Sequence, residues 1–426
     1  MNAEVIHKTS DVYGITRDLP LNYVPRKGID DAFVDNLTRD KHIVIYGSSK
    51  QGKTSLRKYC LKQDDYIIVQ CSNKWSLSDL NSAILKHAGY EVTLSTKISV
   101  SGKNKVLAQF GGKILGTNIN LGGEKESTKT QEIIKGPIEL DIDDVNDIIS
   151  ALSELRFDKY ILLEDFHYLP PEVQRDFSVA LKAYHEKSRY CFIIIGVWLE
   201  ENRLIVYNGD LTGRVISIDA DKWTREQLQE VIATGGVLLN IQFTPSFQAA
   251  LLDNCYDSVY IVQETCYQAC KHEEVHETQP HLKIIGKPEM VDDIVKSVVD
   301  QQRGRFASFI TQFADGFQET SLKMYQWLLY PILTADLKLL EKGLRLSDMR
   351  KSIQAKHPQG KDLNPGNLTQ ALISTASLQV KKGITPIILD YDQTNGRLRV
   401  VDRGFLIWLQ HQDKQQLLQE AGLPTE

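Results

Sequence analysis

The chain has 426 residues, 42% of them hydrophobic and 25% charged, the balance of a globular protein with room for two or three domains of ~100–200 residues each. Its 50 basic and 55 acidic side chains leave a formal net charge of −5, which excludes a protein that grips polyanions with its whole surface. No apolar run approaches the ~18 residues of a membrane-spanning helix, the N-terminus lacks a signal-peptide core, and six cysteines are too few for a disulfide scaffold, so the expected place is the cytoplasm.

Residues 1–36 form a lead-in. The prolines at 20 and 25 favour an extended run over 19–26, and apolar spacing predicts a helix over 29–37. A lead-in before the first strand of a nucleotide-binding domain often packs on the base, which makes Tyr23, Val24 and Arg26 candidates for that contact. Simple packing of the N-terminus remains equally open.

The β-branched run 42–46 predicts a buried parallel strand, and 55–61 predicts a helix. Between them stands Gly47-Ser48-Ser49-Lys50-Gln51-Gly52-Lys53-Thr54, the G-x-x-x-x-G-K-T pattern of a P-loop. Glycine at 47 and 52 lets the backbone approach a polyphosphate closely, and amides of the loop and of the helix start, through Ser55, point at it. Lys53 is placed for the β- and γ-phosphates and Thr54 for Mg²⁺.

A second strand is predicted over 66–70, then a helix from Ser76, with Asp79 as the reciprocal cap, to Gly89. Residues 91–137 break the rhythm with alternating runs at 98–101 and 114–121, frequent glycine and mostly basic charge, which reads as an inserted β-hairpin. A solvated insertion, a nucleic-acid contact and a subunit contact are all open for it. The acids over 141–147 lack the glycine and closing Glu of a calcium loop and suit a helix start instead.

The run 159–165 is an apolar strand ending in Glu164 and Asp165. A P-loop enzyme needs carboxylates there: by position, Glu164 is assigned to the metal shell and Asp165 to the attacking water. The usual order is Asp then Glu, and its inversion alters the reach of each. His167 is expected to pack or bond locally. A helix is predicted over 171–187 and a strand over 190–196, whose tip offers no polar group; Glu201, Asn202 or Arg203 are candidates to supply one. Arg214, before a strand at 215–218, is a candidate arginine finger, for a neighbour's site or its own, or a surface ion pair.

Thr224 to Gln227 make a capping box, and helical patterns run from 221 to 317, which predicts an all-α lid with Gly235-Gly236 as punctuation. Cys266, Cys270, His272, His276 and His281 could ligate zinc, but the two thiols sit one helical turn apart as core residues do. From 318 to 426 the pattern is helix, helices over 347–353 and 365–373, then strands joined around Asn395-Gly396, a hairpin signal. This predicts a winged helix-turn-helix. Basic residues flank it, but 365–377 holds neither Lys nor Arg and offers only Asn367, Thr369, Gln370 and Ser374 to base edges.

The order of these motifs resembles the prokaryotic AAA+/STAND class of P-loop ATPases, in the branch similar to origin-recognition-complex ATPases. The resemblance covers nearly all of the chain after residue 20. It implies an α/β P-loop NTPase domain over 37–220 with a parallel sheet in the order 5-1-4-3-2, a helical lid and a winged helix. It also implies ATP and Mg²⁺ as ligands and a nucleotide-driven switch working through oligomers, a partner protein or DNA. Adenine over guanine rests on the class alone. The lid of such proteins carries a sensor arginine or a Gly-x-Pro turn, and Asp257-Ser258-Val259-Tyr260 stands in its place. A DNA-loading factor and a defence-system regulator acting through a partner are the alternative roles.

Overall fold

The computed structural model describes residues 5–94, 105–110, 138–360 and 363–425. Its centre is a sheet of five parallel strands: β1 (His42–Tyr46), β2 (Tyr66–Gln70), β3 (Tyr160–Glu164), β4 (Phe192–Ile195) and β5 (Val215–Asp219). They lie in the order β2-β3-β4-β1-β5, which read from the other edge is 5-1-4-3-2, the arrangement expected of a P-loop NTPase.

Alternation along the strands sends successive side chains to opposite faces. Ile43, Ile45, Leu162 and Ile193 face the helix Lys53–Cys60 and the lead-in helix Asp30–Leu37, through Leu56 and Phe33. Val44, Ile161, Leu163 and Ile194 face Leu80, Ile84, Leu152 and Phe177 on the other side. Both faces are covered, so the strands are near-continuously apolar, as parallel strands must be.

Local chemistry fixes the helix ends. Ser76 Oγ accepts from the Asp79 amide at 3.2 Å, the Asp79 carboxylate accepts from the Ser76 amide at 2.9 Å, and Gly89 closes Leu77–Ala88 at φ +115°. Beyond Gly89, the strands Tyr90–Leu94, Lys105–Phe110 and Ile138–Asp141 form an antiparallel sheet with the middle segment at its centre. The runs 98–101 and 114–121 of the expected hairpin lie outside the described residues. Asp144 caps the helix Val145–Glu154, the part foreseen for this acidic stretch.

The region after β5 is helical but not all-α. Ile241–Phe243 and Lys283–Ile285 pair in parallel. Each has three residues, too few for alternation to register in the sequence. Gly235-Gly236 does not punctuate either: the helix Arg225–Leu239 runs through it, and a Cβ on Gly235 would fall 2.4 Å from the Tyr13 ring. The glycines let residues 9–13 pack against this helix, where the Tyr13 hydroxyl donates to the Ile232 carbonyl at 2.5 Å.

The last third continues with helices Met324–Thr334, Leu346–Lys356 and Pro365–Ile373 and a three-stranded antiparallel sheet. In that sheet Arg397–Val400 lies between Leu344–Arg345 and Leu389–Asp392. Gly396 turns the hairpin at φ +59°, and Asn395 donates to the Asp392 carboxylate from its amide and side chain. Among the described residues no helix is long and apolar enough to cross a membrane.

Candidate nucleotide-binding site

The loop 47–52 leaves the C-terminal end of β1. Gly47 sits at φ +144°, and a Cβ there would lie 2.8 Å from the Asp221 amide nitrogen. Gly52 sits at φ +80° and starts the helix Lys53–Cys60 with no side-chain cap, which leaves the first-turn amides to whatever enters in front of them. Lys53 folds back over the loop, and its Nζ donates to the Gly47 and Ser48 carbonyls at 2.8 and 2.5 Å. Burial lowers its pKa to about 8, against the pull of Asp221 and Asp165.

These groups open onto a cavity of about 780 Å³. The loop, Thr54, Ser55, Glu164 and Asp165 form one wall; Tyr23 and Val24 of the lead-in form another; Val231, Val259 and Tyr260 of the helical region close it. Arg26 is placed differently from expectation. It is buried behind the cavity, its guanidinium 4.4 Å from the Trp223 ring centroid and donating to the Ala220 carbonyl at 2.8 Å. Trp223 itself lines the cavity and donates from Nε1 to the Gln51 carbonyl at 3.3 Å.

The turn 257–260 meets the loop directly. Gln51 donates from Nε2 to the Asp257 carbonyl at 3.2 Å and accepts from the Val259 amide at 3.3 Å, while Lys50 Nζ sits 3.8 Å from the Tyr260 ring centroid. The two carboxylates are both engaged, with different partners. Glu164 Oε1 lies 3.2 Å from the Arg57 guanidinium, and Asp165, in a left-handed conformation at φ +55°, accepts from the Gln70 side chain. Burial raises the pKa of both; Arg57 opposes this for Glu164, and Gln70 and Lys53 oppose it for Asp165.

The third wall around the loop belongs to the C-terminal region. The Ser49 amide donates to the Val401 carbonyl at 2.8 Å. Asp221 accepts from the Ser48 amide at 2.7 Å and pairs with Arg403 at 2.8 Å, bridging the loop and the helix Arg403–Gln410. Nearby, Arg203 pairs with Asp390 at 2.6 Å, Thr394 donates to Glu200 at 2.9 Å, and Val197, Val380, Ile387 and Val401 share one apolar cluster.

Arg203 is therefore spent on Asp390, and Glu201 and Asn202 are exposed outside the cavity, so none of the three supplies a polar group at the β4 tip. His167 does bond locally: its Nδ1 accepts from the Val197 amide at 3.2 Å, and burial holds its pKa well below the ordinary value. Arg214 is not brought to the loop. It precedes β5 at the edge where β1 begins, since His42 pairs with Val215, and a five-residue strand at ~3.3 Å per residue puts it roughly 17 Å from Gly47. There it pairs with Glu186 at 2.7 Å, the surface ion pair that was its other reading.

Cys266 and Cys270 are buried core thiols, and His272, His276 and His281 are exposed. Among the described residues no group of three or more His, Cys, Asp or Glu side chains is arranged to hold a metal, at this place or over 141–147. Asp221, Arg403, Arg57, Gln70 and Trp223 were missed from sequence. All five act through partners remote in the chain, which leaves no periodicity or motif to find.

No protein family and no curated protein matches the chain. Solved structures similar to it include a Walker-type ATPase of Pyrococcus abyssi (11% identity, 93% of this chain and 99% of that one, TM-score 0.49). The Aeropyrum pernix ORC1 protein in complex with DNA is similar at 11% identity over 96% of each chain, TM-score 0.46. Cdc6p from Pyrobaculum aerophilum is similar at 10% identity over 93% of this chain and 96% of that one, TM-score 0.36.

Proposed function

We propose that the protein is an ATPase that binds ATP with Mg²⁺ at residues 47–55 and uses the nucleotide as a switch. The observation that carries this is Lys53: a buried ammonium with no carboxylate in contact among the described residues, resting on the loop's own carbonyls, at the wall of a cavity large enough for a nucleotide. A buried cation held by neutral carbonyls is poised to exchange them for an anion.

The donors fit magnesium. Thr54 is exposed at the cavity and Asp165 faces the same space, hard oxygen donors that suit the ion or its waters. When bound, the metal ion supplies charge neutralisation for the phosphate oxygens. The chain supplies the rest. Lys53 and the uncapped amides at 53–55 hold the phosphates, Asp165 orients the attacking water, and Tyr23, Val24, Val259 and Tyr260 enclose the base and exclude solvent.

The switch reading draws on the contacts that the loop makes on two sides. Gln51 ties it to the helical lid, and Ser49 and Asp221 tie it to the C-terminal region, which we read as a winged helix. Nucleotide entry reshapes the loop and so biases both contacts. The output is assembly with further copies or with a partner protein. Contact with DNA is the second reading. The hairpin arginines count against it in this arrangement, because Arg397 donates to the Gly343 carbonyl at 2.9 Å and Arg399 pairs with Asp392 at 3.3 Å. The direct test is ATP turnover by wild type, Lys53→Ala and Asp165→Ala; equal rates in all three refute the proposal.

A further inference from the structure

The inverted acid pair raises a question that position alone does not answer: which carboxylate serves the nucleotide. Along β3, Glu164 shares its face with Leu162, and that face is the one covered by the helix Lys53–Cys60. Arg57 stands one turn beyond Lys53 on that helix and is buried. Its guanidinium lies 5.1 Å from the Tyr66 ring centroid, and one of its amino groups donates to the Tyr66 hydroxyl at 2.5 Å. A guanidinium so enclosed needs a counter-charge, and among the described residues Glu164 is the carboxylate that reaches it, at 3.2 Å.

Asp165 is arranged otherwise. The left-handed turn at φ +55° swings it out of the strand, and its partner Gln70 is a neutral amide that can be given up without leaving a charge buried.

Resting on the ATP-binding reading, we infer that Arg57 is a positioning residue that commits Glu164 to an internal ion pair and leaves Asp165 as the carboxylate that meets the metal-bound nucleotide. The pair also explains how the inversion is tolerated. A glutamate at the strand end is long enough to reach down the helix to Arg57, and the shorter acid after it takes the position at the phosphates.

The test measures how Mg²⁺ changes affinity for a fluorescent ATP analogue, by anisotropy, with melting temperature recorded alongside. The inference expects Arg57→Met to weaken Mg²⁺-dependent binding at least tenfold, because it releases a buried carboxylate beside the phosphate site. It expects Arg57→Met/Glu164→Leu, which replaces the pair with apolar groups, to return to within about threefold of wild type. Asp165→Asn should lose the Mg²⁺ response. A folded double variant as unresponsive to Mg²⁺ as Asp165→Asn overturns the inference, since Glu164 would then itself be needed at the metal. If the double variant does not fold, Glu164→Gln, which can still accept from Arg57, decides: a retained Mg²⁺ response supports the inference and a lost one overturns it. If wild type and Lys53→Ala alike bind no nucleotide, the ATP-binding reading fails and takes the inference with it. A wild type that responds to Mg²⁺ beside a double variant that does not defeats the inference alone.

Discussion

Replacing Arg403 with methionine tests how the C-terminal region is held on the loop. The Asp221 and Arg403 side chains are only 10% and 12% exposed, and removing Arg403 leaves Asp221 with the Ser48 amide still donating to it. Breaking a buried pair from one side typically costs ~3–5 kcal/mol, and the surviving amide bond puts this case nearer ~2–3 kcal/mol. At ~1.4 kcal/mol per factor of ten, that is a ~30–150-fold rise in the population with the region undocked. Hydrogen exchange reads it at one amide: Ser49 N–H, bonded to the Val401 carbonyl, should exchange ~30–150-fold faster in the variant. The amides of β4 at the sheet centre should not change. Burial pushes the Asp221 carboxyl up, but Arg403 and Ser48 outweigh it and hold its pKa below the ordinary value. A folded pKa below the unfolded one gives stability that is present above ~4 and is lost as pH falls through the folded value. The Asp221–Arg403 contribution to docking should therefore be constant from pH 5 to 8 and be lost only in stronger acid. Unchanged Ser49 exchange in a folded Arg403→Met protein would refute the reasoning, because the latch would then rest on Arg203–Asp390 and the apolar cluster alone.

Three further outcomes are expected. Burial holds Lys53 at a pKa of about 8, so above that pH the free protein carries it neutral and must take up a proton to grip phosphate. Nucleotide affinity should fall by up to ~tenfold per pH unit between pH 8 and 10, with proton uptake seen by calorimetry in buffers of different ionisation enthalpy; pH-independent binding over that range contradicts it. Gly47→Ala forces a side chain into φ +144° with its Cβ 2.8 Å from the Asp221 nitrogen, which should cost at least ~1–3 kcal/mol locally; a melting temperature and ATP affinity equal to wild type would show that the loop relaxes freely. Undocking frees neither hairpin arginine, because Gly343 and Asp392 lie in the same region, so duplex DNA should bind Arg403→Met no more tightly than wild type; tighter and more salt-dependent filter binding by the variant would restore the DNA reading to this face.

The parts of this fold that were legible are the ones with a period or a fixed spacing. The run 42–46 became β1 residue for residue, and the capping residues Ser76, Thr224 and Gly89 stand where their chemistry placed them; the sheet order was implied by the resemblance and by no local signal. Arg214 does not reach this chain's own loop: parallel strands place the start of β5 beside the start of β1, away from every loop that follows a strand end. Asp221 and Arg403 are 182 residues apart and Ser49 and Val401 further still, and single polar pairings at such separations carry no local signature.

The loop itself shows the same division at finer grain. In G-x-x-x-x-G-K-T, the specified positions Gly47, Gly52, Lys53 and Thr54 are the ones that we propose shape and charge a phosphate cradle. The unspecified ones do something else in this chain. Ser48 meets Asp221, Ser49 meets Val401, Lys50 lies on Tyr260, and Gln51 spans Asp257 and Val259. The Ser48 and Ser49 contacts use backbone amides, which any residue but proline can offer, so the pattern could not reveal them. Gln51 reaches through its side chain, and a hydrophobic residue there would lose both bonds to the lid. On the proposed reading, phosphate grip and contact with the helical region are separable within eight residues: Gln51→Leu should speed hydrogen exchange at the Val259 amide with nucleotide affinity retained, whereas Lys53→Ala should lose affinity with that amide unchanged.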